Sequence, residues 1–259
     1  MAGFADSPYF LGVLLVSAFT MPVIFTVWIR NTARYGREPW RKVIRAFLWG
    51  AVFSVIVAVI FSLILAATLG QVGPLNTFLI RRFHDPDVVY LIIGALIVAP
   101  IVEEAAKGLG VREGRPEIQG LLDGLVYGAA AGLGFSATEN LIYGVNALLS
   151  PDGGATASLA AIAIRSFSSS FLHASSSATF GYGLAKAWLT RRTWAFVPYY
   201  LLAVIMHSTF NLLTTIGVLY ATPYGETVGF VAAVAFALVA ITIVRLKLAA
   251  HPRTVAGNR

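Results

Sequence analysis

Two adjacent glutamates, Glu103 and Glu104, stand inside an apolar run and are followed by Lys107. Carboxylates in such a setting can move protons or hold a cation. Three other apolar stretches carry comparable groups: Glu139 with Asn140, Arg165 with His173, and His207 with Asn211. An ionisable side chain inside lipid costs roughly 2.5–3.5 kcal/mol on insertion scales, so such residues are rare and usually functional. A lone buried histidine is more often a hydrogen-bonded core residue than a ligand. Two histidines on different segments, with Glu139 available, point instead to a metal site, because imidazole and carboxylate are the usual ligands of catalytic zinc.

Helical spacing sharpens the pattern. Lys107 follows Glu103 by four residues and Glu104 by three, so it can neutralise one carboxylate from the same face. Taken alone it also suits a lysine reaching out to the interface. Adjacent carboxylates point about 100° apart on a helix, leaving the second free to face a cavity. Pro100 deprives the Leu96 carbonyl of its helical partner and predicts a kink beside the pair. Arg165, Ser169, His173 and Ser176 or Ser177 form a polar stripe, whose serines read as packing and hydration. His207 and Asn211 lie one turn apart on one face. Glu139 and Asn140 have no cationic residue within a turn, so their partners must come from other helices. Gly120, Gly124, Gly128 and Gly132 make a small-residue seam for close helix approach.

The elements that must carry these groups are membrane helices. With 58% hydrophobic and 12% charged residues and a mean hydropathy of +0.77, the 259-residue chain lacks the polar surface of a water-soluble globule. Apolar runs near 9–29, 44–69, 88–111, 120–148, 157–189, 195–219 and 226–248 predict seven spans in an all-α polytopic bundle forming one membrane domain over 1–259. The first is read as a retained helix, since MAGFADSP carries no basic residue. Fifteen of the 19 Lys and Arg residues fall on alternate flanks, among them Arg30, Arg34, Arg45, Arg112, Lys186, Arg245, Lys247, Arg253 and Arg259. Arg81 and Arg82 fall on the opposite side, and Lys107 and Arg165 inside spans. This places the N-terminus outside and the C-terminus in the cytoplasm. The net charge of +7 is therefore topology and predicts no nucleic-acid partner. Spans three to six, about 88–219, hold the polar groups, and spans one, two and seven look like packing. The loop of about 70–87 predicts an amphipathic turn through Phe78, Leu79, Ile80 and Phe83. With no cysteine, thiol catalysis and thiolate metal sites are excluded.

Several chemistries fall away. The nearest string to GxSxG, Gly134-Phe135-Ser136-Ala137-Thr138, lacks the last glycine. Asp123 is the only aspartate inside a span, where an aspartyl protease needs two. HExxH, P-loop and Rossmann patterns are absent.

What remains resembles the PrsW family of intramembrane metalloproteases. The likeness rests on EEAAK (103–107), DGLVYGAAAGLGFSATEN (123–140), the histidine of FLHASSSATFGYG (His173) and HSTFN (207–211), in the family's order. The last motif carries Asn where Asp is often found. The wider group includes CAAX-processing and bacteriocin-related proteases and the multi-pass scaffold subunit of gamma-secretase. The resemblance implies a divalent metal, zinc by ligand type, in a water-accessible cavity. It makes Glu103 and Glu104 catalytic carboxylates with Lys107 beside them. Glu139, His173, His207 and Asn211 become metal or water-positioning groups, with Asp123, Asn140 and Arg165 in support. Tyr127, His173 and Asn211 are alternative oxyanion donors. The expected substrate is a membrane protein with a transmembrane segment, and the expected setting is a prokaryotic plasma membrane. A non-catalytic scaffold and a proton-coupled transporter are the competing readings. One depth argument works against a shared site: Glu104 lies about 12 Å from Arg112, whereas His173 and His207 lie about 20 Å and Glu139 about 24 Å from their span ends.

Overall fold

The computed structural model describes residues 8–33, 37–219 and 224–250; Arg34, Arg253, Arg259 and the first seven residues lie outside these. The described residues form helices and no strand. Helix α1 runs Pro8–Thr32. Helix α2 runs Trp40–Gly70, with a π-helical stretch at Trp49–Ser54. It starts at Pro39, whose extended backbone presents its carbonyl to the Lys42 and Val43 amides at 3.0 and 3.2 Å. The amphipathic turn expected near 70–87 is helix α3, Gly73–Phe83, with Leu79 buried and Phe78 exposed. His84 ends it in the left-handed region at φ 57°.

Helix α4, Pro86–Glu117, contains a π turn at Ile92–Val98 and finishes as a 3-10 helix from Arg112. Helix α5 spans Leu121–Leu149. The stretch expected as span five divides at Ser168 into α6, Ala155–Phe167, and α7, Ser169–Thr190. Helices α8, Val197–Leu219, and α9, Gly225–Ala250, complete the bundle.

Among the described residues, six helical stretches are long and apolar enough to cross a membrane. The 29-residue α5 is not among them. Glycine, alanine and polar residues between its large apolar side chains lower its hydropathy, and it is walled in by protein. Tyr127, Leu133, Ser136 and Asn140 are fully buried along it.

Three of the four seam glycines explain how α7 comes so close. A Cβ at Gly124, Gly128 or Gly132 would lie 2.2, 2.1 and 2.1 Å from the backbone oxygens of Gly181, Ser177 and His173. Gly120 does not belong to the seam, since it precedes α5 in an extended conformation. On the other face, Gly50 of α2 and Gly134 of α5 meet the backbones of Ala131 and Phe47. Gly132→Ala is therefore expected to push α5 and α7 apart, costing about 1–3 kcal/mol. Gly12→Ala, with nothing within 4 Å of the new methyl, serves as the neutral control. Unfolding titrations in mixed micelles compare the two.

The basic flanks converge at one end of the bundle. Arg45 pairs with Glu113 at 3.2 Å, Arg245 stacks on Trp28 at 3.7 Å, and Arg115 lies over Trp188 at 5.4 Å.

Candidate metal centre

The site is organised around the break in α4. Pro100 has no N–H, so the Leu96 carbonyl has no helical donor. Ser208 supplies one from α8, its Oγ donating to Leu96 O at 2.8 Å. One turn on, Asn211 Nδ2 donates to Ala95 O at 2.7 Å. Tyr200 Oη donates to Ile101 O at 2.7 Å, and Ser54 Oγ of α2 to Ala106 O at 2.9 Å. The irregular backbone of α4 is thus held by side chains of its neighbours, which sets the position of the glutamates just beyond the proline. The amide nitrogen of Asn211 is committed to this clamp. Asn211→Leu, leaving Ala95 O unsatisfied, is expected to cost about 1–3 kcal/mol. It should also weaken metal retention more than Thr214→Val, one turn nearer the helix end. Paired unfolding and metal-content measurements check this.

Glu104 is completely buried and fully engaged. Lys107 Nζ, Ser176 Oγ, Ser177 Oγ and a ring nitrogen of His207, Nδ1, approach its two oxygens at 2.7, 2.9, 3.0 and 3.0 Å. The two serines are thus partners of a carboxylate, a role hinted at only by their position one turn beyond His173. Lys107 is also fully buried, 2.9 Å from His173 Nδ1 and 4.6 Å from the centre of the Phe135 ring. It belongs to the site and does not reach out to the interface.

Glu103 turns the other way. Its buried Oε2 has no hydrogen-bond partner and lies 3.7 Å from Lys107 Nζ and 3.8 Å from His207 Nε2. His207 is held from behind by Glu104, and His173 from behind by Glu139, whose Oε2 is 2.7 Å from His173 Nε2. The two imidazoles stand edge to face, with centroids 5.0 Å apart. Ligand atoms of Glu103, His173 and His207 all lie within 4.8 Å of one another. Two imidazoles and a carboxylate are a common catalytic-zinc set, and a carboxylate behind each histidine is the usual outer support. Oε2 of Glu103, which faces His207 Nε2 and accepts no hydrogen bond, is what such a cation would satisfy, so these residues fit a divalent metal. His173 meets partners on both ring nitrogens, so it joins a cation only by releasing Lys107 or Glu139.

These groups line a cavity of about 520 Å³ that also reaches Tyr143, Arg165 and Asn211. Arg165 Nη2 pairs with Glu139 at 2.7 Å and donates to Ser169 Oγ at 3.1 Å, its guanidinium lying 3.7 Å over the Tyr143 ring. Asn140 lies behind the site, its Nδ2 donating to Ser170 Oγ at 3.3 Å. Asp123 is remote from it: its Oδ2 accepts from the Gln119 and Gly120 amides at 2.8 and 2.9 Å, capping α5. Tyr127 donates to Glu38 and does not line the cavity.

The depth mismatch closes in the fold. The helical chain of α4 does not stop near Arg112 but continues to Glu117, five residues further at about 2 Å each below Glu104.

Residues 38–243 match the model of the PrsW family intramembrane metalloproteases. The chain belongs to the PrsW family. A curated relative, Protease PrsW of Clostridioides difficile (strain 630), is 31% identical over 133 residues, covering 50% of each protein. The chain thus matches half the length of that relative. No solved structure matches. All the centre's residues fall within the PrsW match, as do the α8 residues that clamp α4.

Proposed function

We propose that the chain is an endopeptidase that cleaves membrane-anchored proteins at or beside a transmembrane segment, using water activated at a Glu103–His173–His207 centre. The observation that carries this reading is Glu103 Oε2, buried without a hydrogen bond, 3.8 Å from His207 Nε2 and grouped with His173 in a cavity. Zinc is the metal favoured by the donor set. When bound, it supplies Lewis-acid activation of water and of the scissile carbonyl.

The chain's own groups divide the remaining work. Glu103, His173 and His207 hold the cation. Glu139 is the other carboxylate facing the cavity, and it takes the proton of the attacking water and returns it to the leaving amine. Arg165 beside it keeps Glu139 oriented and brings positive charge to the cavity wall. Glu104 fixes the ring of His207, and Lys107 balances the buried carboxylates. Helix α5 makes a seventh crossing inside the ring of apolar helices, with the basic end of the bundle in the cytoplasm. A prokaryotic plasma membrane is the setting, supported by the bacterial relative.

Purified protein incubated with a single-span substrate tests the reading. Bound divalent metal, and cleavage lost on chelation and restored by zinc, are expected. Metal-free, folded protein without cleavage would favour a scaffold in which the polar cluster only joins helices.

A further inference from the structure

A second cavity, of about 450 Å³, opens between α7, α8 and α9 and contains none of the residues of the metal centre. Its walls follow helical spacing. Phe236, Ala240, Ile243 and Lys247 make one stripe of α9, and Tyr199, Leu202 and Met206 one stripe of α8. Thr179 and Tyr182 do the same on α7. From Phe236 to Lys247 the slot runs about 16 Å at the helical rise. That is roughly half of a hydrocarbon core about 30 Å thick, the depth of one leaflet.

The ends of the slot differ. The deep end is lined by Met206 and Phe236, with the Thr179 hydroxyl beside Met206 already donating to Ser175 O. The other end lies at the basic end of the bundle and presents Lys247 beside Tyr199. Tyr199 also lines an adjoining cavity with Lys186 and Arg192. Lys186 Nζ donates to Tyr199 Oη at 3.1 Å, which draws the two cavities together and leaves the ammonium further donors. Among the described residues, no carboxylate lines either cavity.

We propose that this slot binds an anionic phospholipid of the leaflet at the basic end. One acyl chain lies along α9, and the headgroup phosphate sits among Lys186, Arg192 and Lys247. A cavity one leaflet deep with cations only at its interfacial end matches that amphiphile in length and charge. The assignment is independent of the proteolytic reading.

Native mass spectrometry of the full chain, with phosphatidylglycerol and phosphatidylcholine of the same acyl chains, tests it. Wild type should retain phosphatidylglycerol about thirtyfold more than phosphatidylcholine, whose choline offsets the phosphate charge, the scale set by two lysines near a headgroup of net negative charge. Lys186→Gln/Lys247→Gln should cut that preference to a few-fold, the share of Arg192, while keeping the fold. Ala240→Trp, filling the slot, should lower retention of both lipids, and unfolding midpoints confirm that each variant is folded. Equal retention of the two lipids by wild type, or a preference unchanged in the double variant, would overturn the proposal. So would full retention by Ala240→Trp.

Discussion

Glu103→Gln is expected to yield a folded protein that holds its metal at least tenfold more weakly and cleaves a single-span substrate 10²–10⁴-fold more slowly, the range for loss of an essential acid–base or ligand group. The amide keeps the size of the side chain but removes the charge that faces His207 Nε2 at 3.8 Å. Glu139→Gln should behave differently. It leaves the Glu103–His173–His207 donors in place but loosens the outer support of His173, so turnover should fall by a comparable factor while metal affinity falls less than in Glu103→Gln. Measuring metal per chain beside the cleavage rate separates the two roles. If Glu103→Gln kept its metal and lost only turnover, Glu103 would be the proton acceptor and the ligand assignment would be wrong.

Lys107→Met should produce the largest loss of stability. Lys107 and Glu104 are both wholly buried, with Nζ 2.7 Å from Oε1. Removing one member of a buried pair strands the other charge, at a cost of about 3–5 kcal/mol. The double variant Lys107→Met/Glu104→Gln should recover more than half of that loss, because it removes the carboxylate that Lys107 contacts most closely, and Glu103 keeps His207 beside it. Unfolding titrations of the single and double variants give the coupling. A Lys107→Met protein as stable as wild type would show that Ser176, Ser177 and His207 alone satisfy Glu104.

Much of this was legible in the residues. Apolar runs announced the helices, since a span in lipid must satisfy its own backbone and cover itself with carbon. The ionisable residues within those runs marked the site, because burying each in lipid carries a penalty that only partners or function offset. Pro100 announced an unsatisfied carbonyl at Leu96. Its donor could not be named, since Ser208 lies 112 residues away and meets it only through the docking of α8 on α4. The place of α5 was also obscure. A hydropathy pattern cannot distinguish a helix sheltered by protein from one that is merely less apolar.

The sequence by itself determined an all-helical membrane bundle and the set of polar groups that must meet in it. Only the tertiary structure divided the work among them. Glu103 and Glu104 are neighbours in the chain, but a helix turns about 100° between them. One therefore meets four polar partners in a buried setting, while the other meets a cavity and two imidazoles. The same holds for Asn211, which the α8–α4 contact turns toward a backbone carbonyl. Residue type fixes what a side chain can donate or accept. Which partner it finds depends on how helices far apart in sequence are packed.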